Sequence, residues 1–115
     1  MTRINVGIKP FELTTKLLLA EHREIKRIPN LINSGRYNMD DIPPKFTLGK
    51  GHVKFFYNKL QYLHERYEWI YRECQRRKLR VTYYGDIWDA VPDELYKSYT
   101  VTKRDRELLL ERFAQ

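Results

Sequence analysis

The stretch Val53-Lys54-Phe55-Phe56-Tyr57-Asn58-Lys59-Leu60-Gln61-Tyr62-Leu63-His64-Glu65-Arg66-Tyr67-Glu68-Trp69-Ile70-Tyr71-Arg72-Glu73-Cys74 decides the fold class. Val53, Phe56, Leu60, Leu63, Tyr67, Ile70 and Cys74 recur at steps of three and four residues, the period of an amphipathic helix. The pattern predicts a helix from about Gly51 to Leu79. Arg76-Arg77-Lys78 crowd its last turn, where cations complement the helix dipole. Cys74 falls on the stripe and reads as an inert core thiol. Upstream, Leu17, Leu18, Ala20, Ile25, Ile28, Leu31 and Ile32 define a second helical stripe between about Thr14 and Ile32. Thr14 or Thr15 can cap it, Pro29 predicts a kink or early break, and Asn33-Ser34-Gly35 ends it. Downstream, a third helix is predicted over Lys103–Phe113, with Leu108, Leu109 and Phe113 inward. Residues 36–50 and 80–100 read as loops, punctuated by Pro43-Pro44, Gly49, Gly51, Gly85 and Pro92. Strand signals are weak. The expectation is a compact all-α single domain over residues 1–115, built on two long helices plus a C-terminal helix.

Composition agrees with one folded domain. The chain has 115 residues, 42 % of them apolar, enough to build a core. No apolar run approaches the ~20 residues of a membrane span, and Met1-Thr2-Arg3-Ile4-Asn5 is no secretory apolar region. One cysteine cannot form an internal disulfide, which fits a reducing compartment. Twenty-two Lys+Arg against 15 Asp+Glu leave a formal charge of +7. Net charge is +4 over residues 1–50, +5 over 51–80 and −2 over 81–115. The positive charge is interleaved with periodic apolar residues, so it belongs to faces of folded helices. Such a field suits a polyanion, with nucleic acid the leading partner and a merely solubilising surface the bland alternative.

Few residues suggest chemistry. In helical projection Glu24 lies ~20° from Leu17 and ~40° from Ile28, on or beside the apolar stripe, with Arg23 and Arg27 flanking it. A carboxylate so placed needs a cationic partner, and a Glu24–Arg27 rim ion pair is the simplest explanation. Glu21 also lies near the stripe, so position alone does not single out Glu24. His22, His52 and His64 have no metal spacing with one another or with Cys74, so neither a metal nor another cofactor is expected. Gly49-Lys50-Gly51 lacks the phosphate-loop pattern and reads as a turn opening the second long helix, although a glycine turn there can approach a phosphate. Thr2 gains meaning if the initiator methionine is removed. An α-amine with pKa ~7.7–8.0 is partly neutral near pH 7, and a neutral amine can form a Schiff base with a sugar C1′.

Three segments can then be read together: Thr2-Arg3-Ile4-Asn5, Glu21-His22-Arg23-Glu24-Ile25-Lys26-Arg27, and Phe46-Thr47-Leu48-Gly49-Lys50-Gly51-His52-Val53-Lys54-Phe55-Phe56-Tyr57-Asn58-Lys59-Leu60. Over roughly residues 1–99 the chain closely resembles the phage-type pyrimidine-dimer DNA glycosylases. The resemblance implies a DNA repair glycosylase with apurinic/apyrimidinic lyase activity, monomeric, intracellular and independent of metals. Its substrate would be double-stranded DNA carrying ultraviolet-induced pyrimidine dimers. The Thr2 amine would attack C1′ and form an imine, and Glu24 would stabilise developing positive charge and assist proton transfer before β-elimination. Arg3, Arg23 and Arg27 would hold phosphates around the lesion, with Lys26, Lys50 and Arg112 as further DNA-binding residues. The DNA would be kinked and the base opposite the lesion flipped out.

The chain also departs from the best-known members of that family. The Asn33–Pro44 loop is shorter, an aromatic and basic tail has no counterpart after Phe113, and Lys16 and Leu17 replace a glutamine and a histidine. Tyr83, Tyr84, Trp88, Tyr96 and Tyr99 offer an alternative aromatic surface, with core packing the favoured reading. These departures leave Thr2 and Glu24 in place and bear on the substrate. Two alternatives follow: the same mechanism on a different damaged or modified base, or a non-catalytic DNA-binding module.

Overall fold

The computed structural model describes residues 2–114, and among them every regular element is helical. α1 spans Thr15–Ile25, α2 Arg27–Asn33, α3 His52–Phe55, α4 Leu60–Arg76 and α5 Lys103–Phe113. Short 3-10 segments occupy Pro10–Glu12, Gly85–Ala90 and Asp93–Leu95. The last two lie within the stretch expected to be loop.

The α1 start is set by Thr14, whose hydroxyl accepts the Leu17 amide at 3.2 Å. The break that Pro29 predicts falls at Lys26, three residues earlier. Pro29 has no N–H and would clash with the carbonyl of Ile25, four residues before it. The chain resolves this by starting α2 at Arg27, so that proline occupies a first-turn position whose N–H has no intrahelical partner anyway.

The second long helix is also divided, where the periodicity predicts one helix over 51–79. Phe55 and Phe56 are both fully buried. Neighbours on a helix point ~100° apart, so burying both requires leaving the helix between them and Leu60. Lys59 seals the cut by donating from Nζ to the Phe55 carbonyl at 2.9 Å. At the far end Lys78 adopts φ +60 and the Leu79 amide reaches back to the Cys74 carbonyl at 2.9 Å, a left-handed helix stop. α5 matches the expected bounds and opens on a reciprocal capping box between Thr102 and Asp105. Leu109 is buried there, but Phe113 is 36 % exposed and does not pack inward as expected.

α1 packs along α4, and the N-terminal segment joins them in the core. Leu18, Ile25, Leu63, Tyr67, Ile70 and Cys74 are fully buried, as are Ile4 and Val6. Beside them Phe46, Phe55 and Phe56 form an edge-to-face ring cluster with centroids 5.2–6.1 Å apart.

Candidate functional site

The core face of α1 is centred one residue away from the simplest projection. Leu18, Glu21, His22 and Ile25 are buried, while Leu17 and Glu24 are half-buried at its edge. The carboxylate carried into the core is therefore Glu21, with a side chain 1 % exposed. Arg66 from α4 meets it through two guanidinium nitrogens: Nη2 donates to Oε1 at 3.0 Å and Nε donates to Oε2. Arg66 Nη1 also donates to the Ile8 carbonyl at 3.0 Å, and the Asn5 side-chain amide donates to Glu21 Oε1 at 2.7 Å. A buried carboxylate demands this many donors. Pairing across elements this distant in sequence leaves no local pattern, so neither Asn5 nor Arg66 stands out by reading. The only signal was Glu21 near an apolar stripe.

These bonds fasten the N-terminal segment against α1 and α4. A third tie comes from α3, where the Ile4 amide donates to His52 Nε2 at 2.9 Å and His52 Nδ1 lies 2.9 Å from the Thr47 carbonyl. Thr2 and Arg3 are half-buried and line a small cleft of 130 Å³ with Leu48, Gly49, His52 and Val53. Gly49 and Gly51 carry φ of +71 and +88, so the turn opening α3 is left-handed twice. A Cβ on Gly51 would stand 3.0 Å from the Pro43 ring, a tight approach that adds to the backbone strain of any side chain there.

Glu24 lies one turn beyond Glu21 on the same side of α1. Its carboxylate, 12 % exposed, stands 3.5 Å from Arg27 Nη1 and 3.9 Å from Arg23 Nη2. The expected rim ion pair is therefore present, and both arginines are more than half exposed. Lys26 turns elsewhere, with its ammonium 3.6 Å from the Tyr84 ring centroid. Lys50 is exposed on the Gly49–Gly51 turn. Arg112 is exposed in the last turn of α5. The structure thus gathers Arg23, Glu24 and Arg27 into one cluster, and sets Thr2 and Arg3 in the wall of the small cleft.

The aromatic residues of the 80–100 stretch are mostly structural. Trp88 is 2 % exposed and stacks on His64. Tyr99 donates to Asp105, Tyr96 bonds His64 at 2.8 Å, and Tyr83 donates to Glu68, a bond that pushes its phenol up to about 12. Tyr83 is the most exposed of the set, at 40 %. His22 is buried against Tyr67, whose hydroxyl lies 3.0 Å from Nε2, and burial lowers its pKa below 6.5. No group of three or more His, Cys, Asp or Glu side chains among the described residues could hold a metal ion. No helix among them is long and apolar enough to cross a membrane.

A family model described as pyrimidine dimer DNA glycosylase matches residues 1–84. That span contains the Thr2–Arg3 cleft, the Arg23–Glu24–Arg27 cluster and the Glu21–Arg66 network, and leaves α5 outside.

Proposed function

The chain belongs to the pyrimidine dimer DNA glycosylase family, and on that premise we propose that it excises ultraviolet-induced pyrimidine dimers by imine chemistry and then cuts the strand. Family membership makes the protein a DNA repair glycosylase acting on DNA. The mechanism is our reading. With Met1 removed, the Thr2 amine attacks C1′ of the damaged nucleotide. The bond from C1′ to the base breaks, the base leaves with the electron pair, and the amine loses a proton. The nitrogen lone pair then forms the C=N bond of the imine as the C1′–O4′ ring bond opens and O4′ takes up a proton. β-Elimination follows: a proton leaves C2′ and the 3′ phosphate departs. Glu24 faces the positive charge that builds on the sugar and imine, and accepts protons during these steps. Arg3, Arg23 and Arg27 bind phosphates, Lys26, Lys50 and Arg112 extend the basic surface, and the enzyme works as an intracellular monomer without a metal.

The observation that carries this reading is the Asn5–Glu21 bond. It fastens the segment bearing Thr2 to the α1 face bearing Glu24. Thr2 precedes Asn5 by three residues, a reach of at most ~10 Å, and Glu24 lies ~4.5 Å along α1 from Glu21. An amine and a carboxylate can therefore share one deoxyribose. Arginines beside them disfavour a protonated amine, which raises its nucleophilic fraction.

The test is borohydride trapping. Methionine-processed protein is incubated with ultraviolet-irradiated and with abasic duplexes, reduced, and mapped by mass spectrometry. The proposal expects an adduct through Thr2 on both. An adduct on abasic DNA alone transfers the mechanism to another base, and no adduct on either leaves a DNA-binding module.

A further inference from the structure

We propose that His52 is a positioning residue for this reaction: held as the neutral imidazole protonated on Nδ1, it fixes the Ile4 amide and thereby aims the chain start, and taking up a second proton releases that start. The inference rests on the imine reading and extends it to a side chain that holds Ile4, two positions from Thr2.

The tautomer follows from the contacts. The Ile4 backbone nitrogen can only donate, so His52 Nε2 must offer its lone pair across the 2.9 Å contact. The hydrogen then resides on Nδ1 and is donated to the Thr47 carbonyl at 2.9 Å. The ring cannot rotate to exchange these roles, because Phe46 and Phe56 hold it edge to face with centroids 5.4 and 5.5 Å away. Ile4 is fully buried, so water does not replace the acceptor. A protonated imidazole has no lone pair. Its Nε2–H would point at the Ile4 N–H, and the segment carrying Thr2 and Arg3 would be pushed from the cleft that His52 itself lines.

The surrounding charges do not favour the imidazolium. Glu21 of α1 is the carboxylate that faces the ring, and it is already bound by Arg66 of α4. Arg3 of the N-terminal segment adds positive charge, and the cations nearest in sequence are Lys50 on the preceding turn and Lys54 on the same helix. Burial and Arg3 accordingly hold the His52 pKa below 6.5, outweighing the Thr47 contact and Glu21.

The experiment measures single-turnover strand cleavage of an abasic duplex against pH, with processed full-length protein. Protonation of the Thr2 amine alone costs about tenfold in rate per pH unit on the acid side. If His52 must also be neutral, the wild-type profile steepens toward about a hundredfold per unit at some pH below 6.5. His52→Gln, whose side-chain oxygen can accept the Ile4 amide and does not titrate, should keep the tenfold slope throughout. It should also recover rate lost in His52→Leu. Nitrogen-15 spectra of the wild-type imidazole should report hydrogen on Nδ1 and a titration midpoint at the kinetic break, a measurement that needs no variant. A single tenfold slope in the wild type, an unchanged steep limb in His52→Gln, or hydrogen on Nε2 would each overturn the proposal. If the wild type forms no Thr2 adduct at any pH, the imine reading falls and takes this role of His52 with it. A Thr2 adduct with a shallow acid limb removes the His52 role alone.

Discussion

Arg66→Met strands a carboxylate in the core. The substitution keeps most of the side-chain volume but removes both contacts to Glu21 and the donor to the Ile8 carbonyl. Arg66 and Glu21 side chains are 3 % and 1 % exposed, so water cannot take over. Removing one member of a buried ion pair costs about 3–5 kcal/mol, because the survivor remains charged and unpaired. Asn5 still donates one hydrogen bond to Glu21, which argues for the lower half of that range. A domain of this length has an unfolding entropy of ~0.24 kcal/mol/K, so Tm should fall by roughly 12–17 °C. That is a large share of a typical total stability of about 5–15 kcal/mol. The double variant Arg66→Met with Glu21→Gln leaves no uncompensated charge and should recover more than half of the loss. Urea melts followed by circular dichroism measure both, with an unchanged m-value as the check that the same unfolding is observed. A loss under about 1 kcal/mol in the single variant, or no recovery in the double, would refute the buried pair as the clasp between α1 and α4.

Glu24→Gln should behave in the opposite way. Its partners Arg23 and Arg27 are well exposed, so stability should change by under about 1 kcal/mol while strand cleavage is lost and DNA binding persists; equal loss of binding and cleavage would make Glu24 structural. Arg23→Ala and Arg27→Ala should each weaken DNA binding for any sequence and lower the salt slope of the binding constant by about one, read from anisotropy titrations. Acid should unfold the protein in two stages seen in thermal melts. His22 and His52 have pKa values lowered by burial, so stability begins to fall as pH drops below their unfolded value of 6.5. Glu12, bonded to Arg106, and Glu73, bonded to Arg76 and Arg77, are held at about 2. Their stabilisation is complete above 4.5 and is lost as pH falls from there toward 2, and Arg106→Ala should remove the Glu12 share.

The sequence alone determined the all-helical class, the α5 limits, the α1 cap and six of the seven positions of the Val53–Cys74 stripe that became fully buried. These are local matters. A helix registers its apolar period in a single turn, and a cap needs only neighbours within one turn. The Arg23–Glu24–Arg27 cluster was legible for the same reason, since its members are one turn apart. Tertiary structure decided where the long stripes break, because the breaks at Lys26 and before Leu60 serve burial of Phe55 and Phe56 and the fit of Pro29. It also decided which glutamate entered the core and which stayed at the edge. A shift of one residue in facing, ~100° on the helix, separates Glu21 from its neighbours, and the choice depends on Arg66, 45 positions away. Contacts at that separation, like that between Ile4 and His52, arise only when elements are packed, so no periodicity records them.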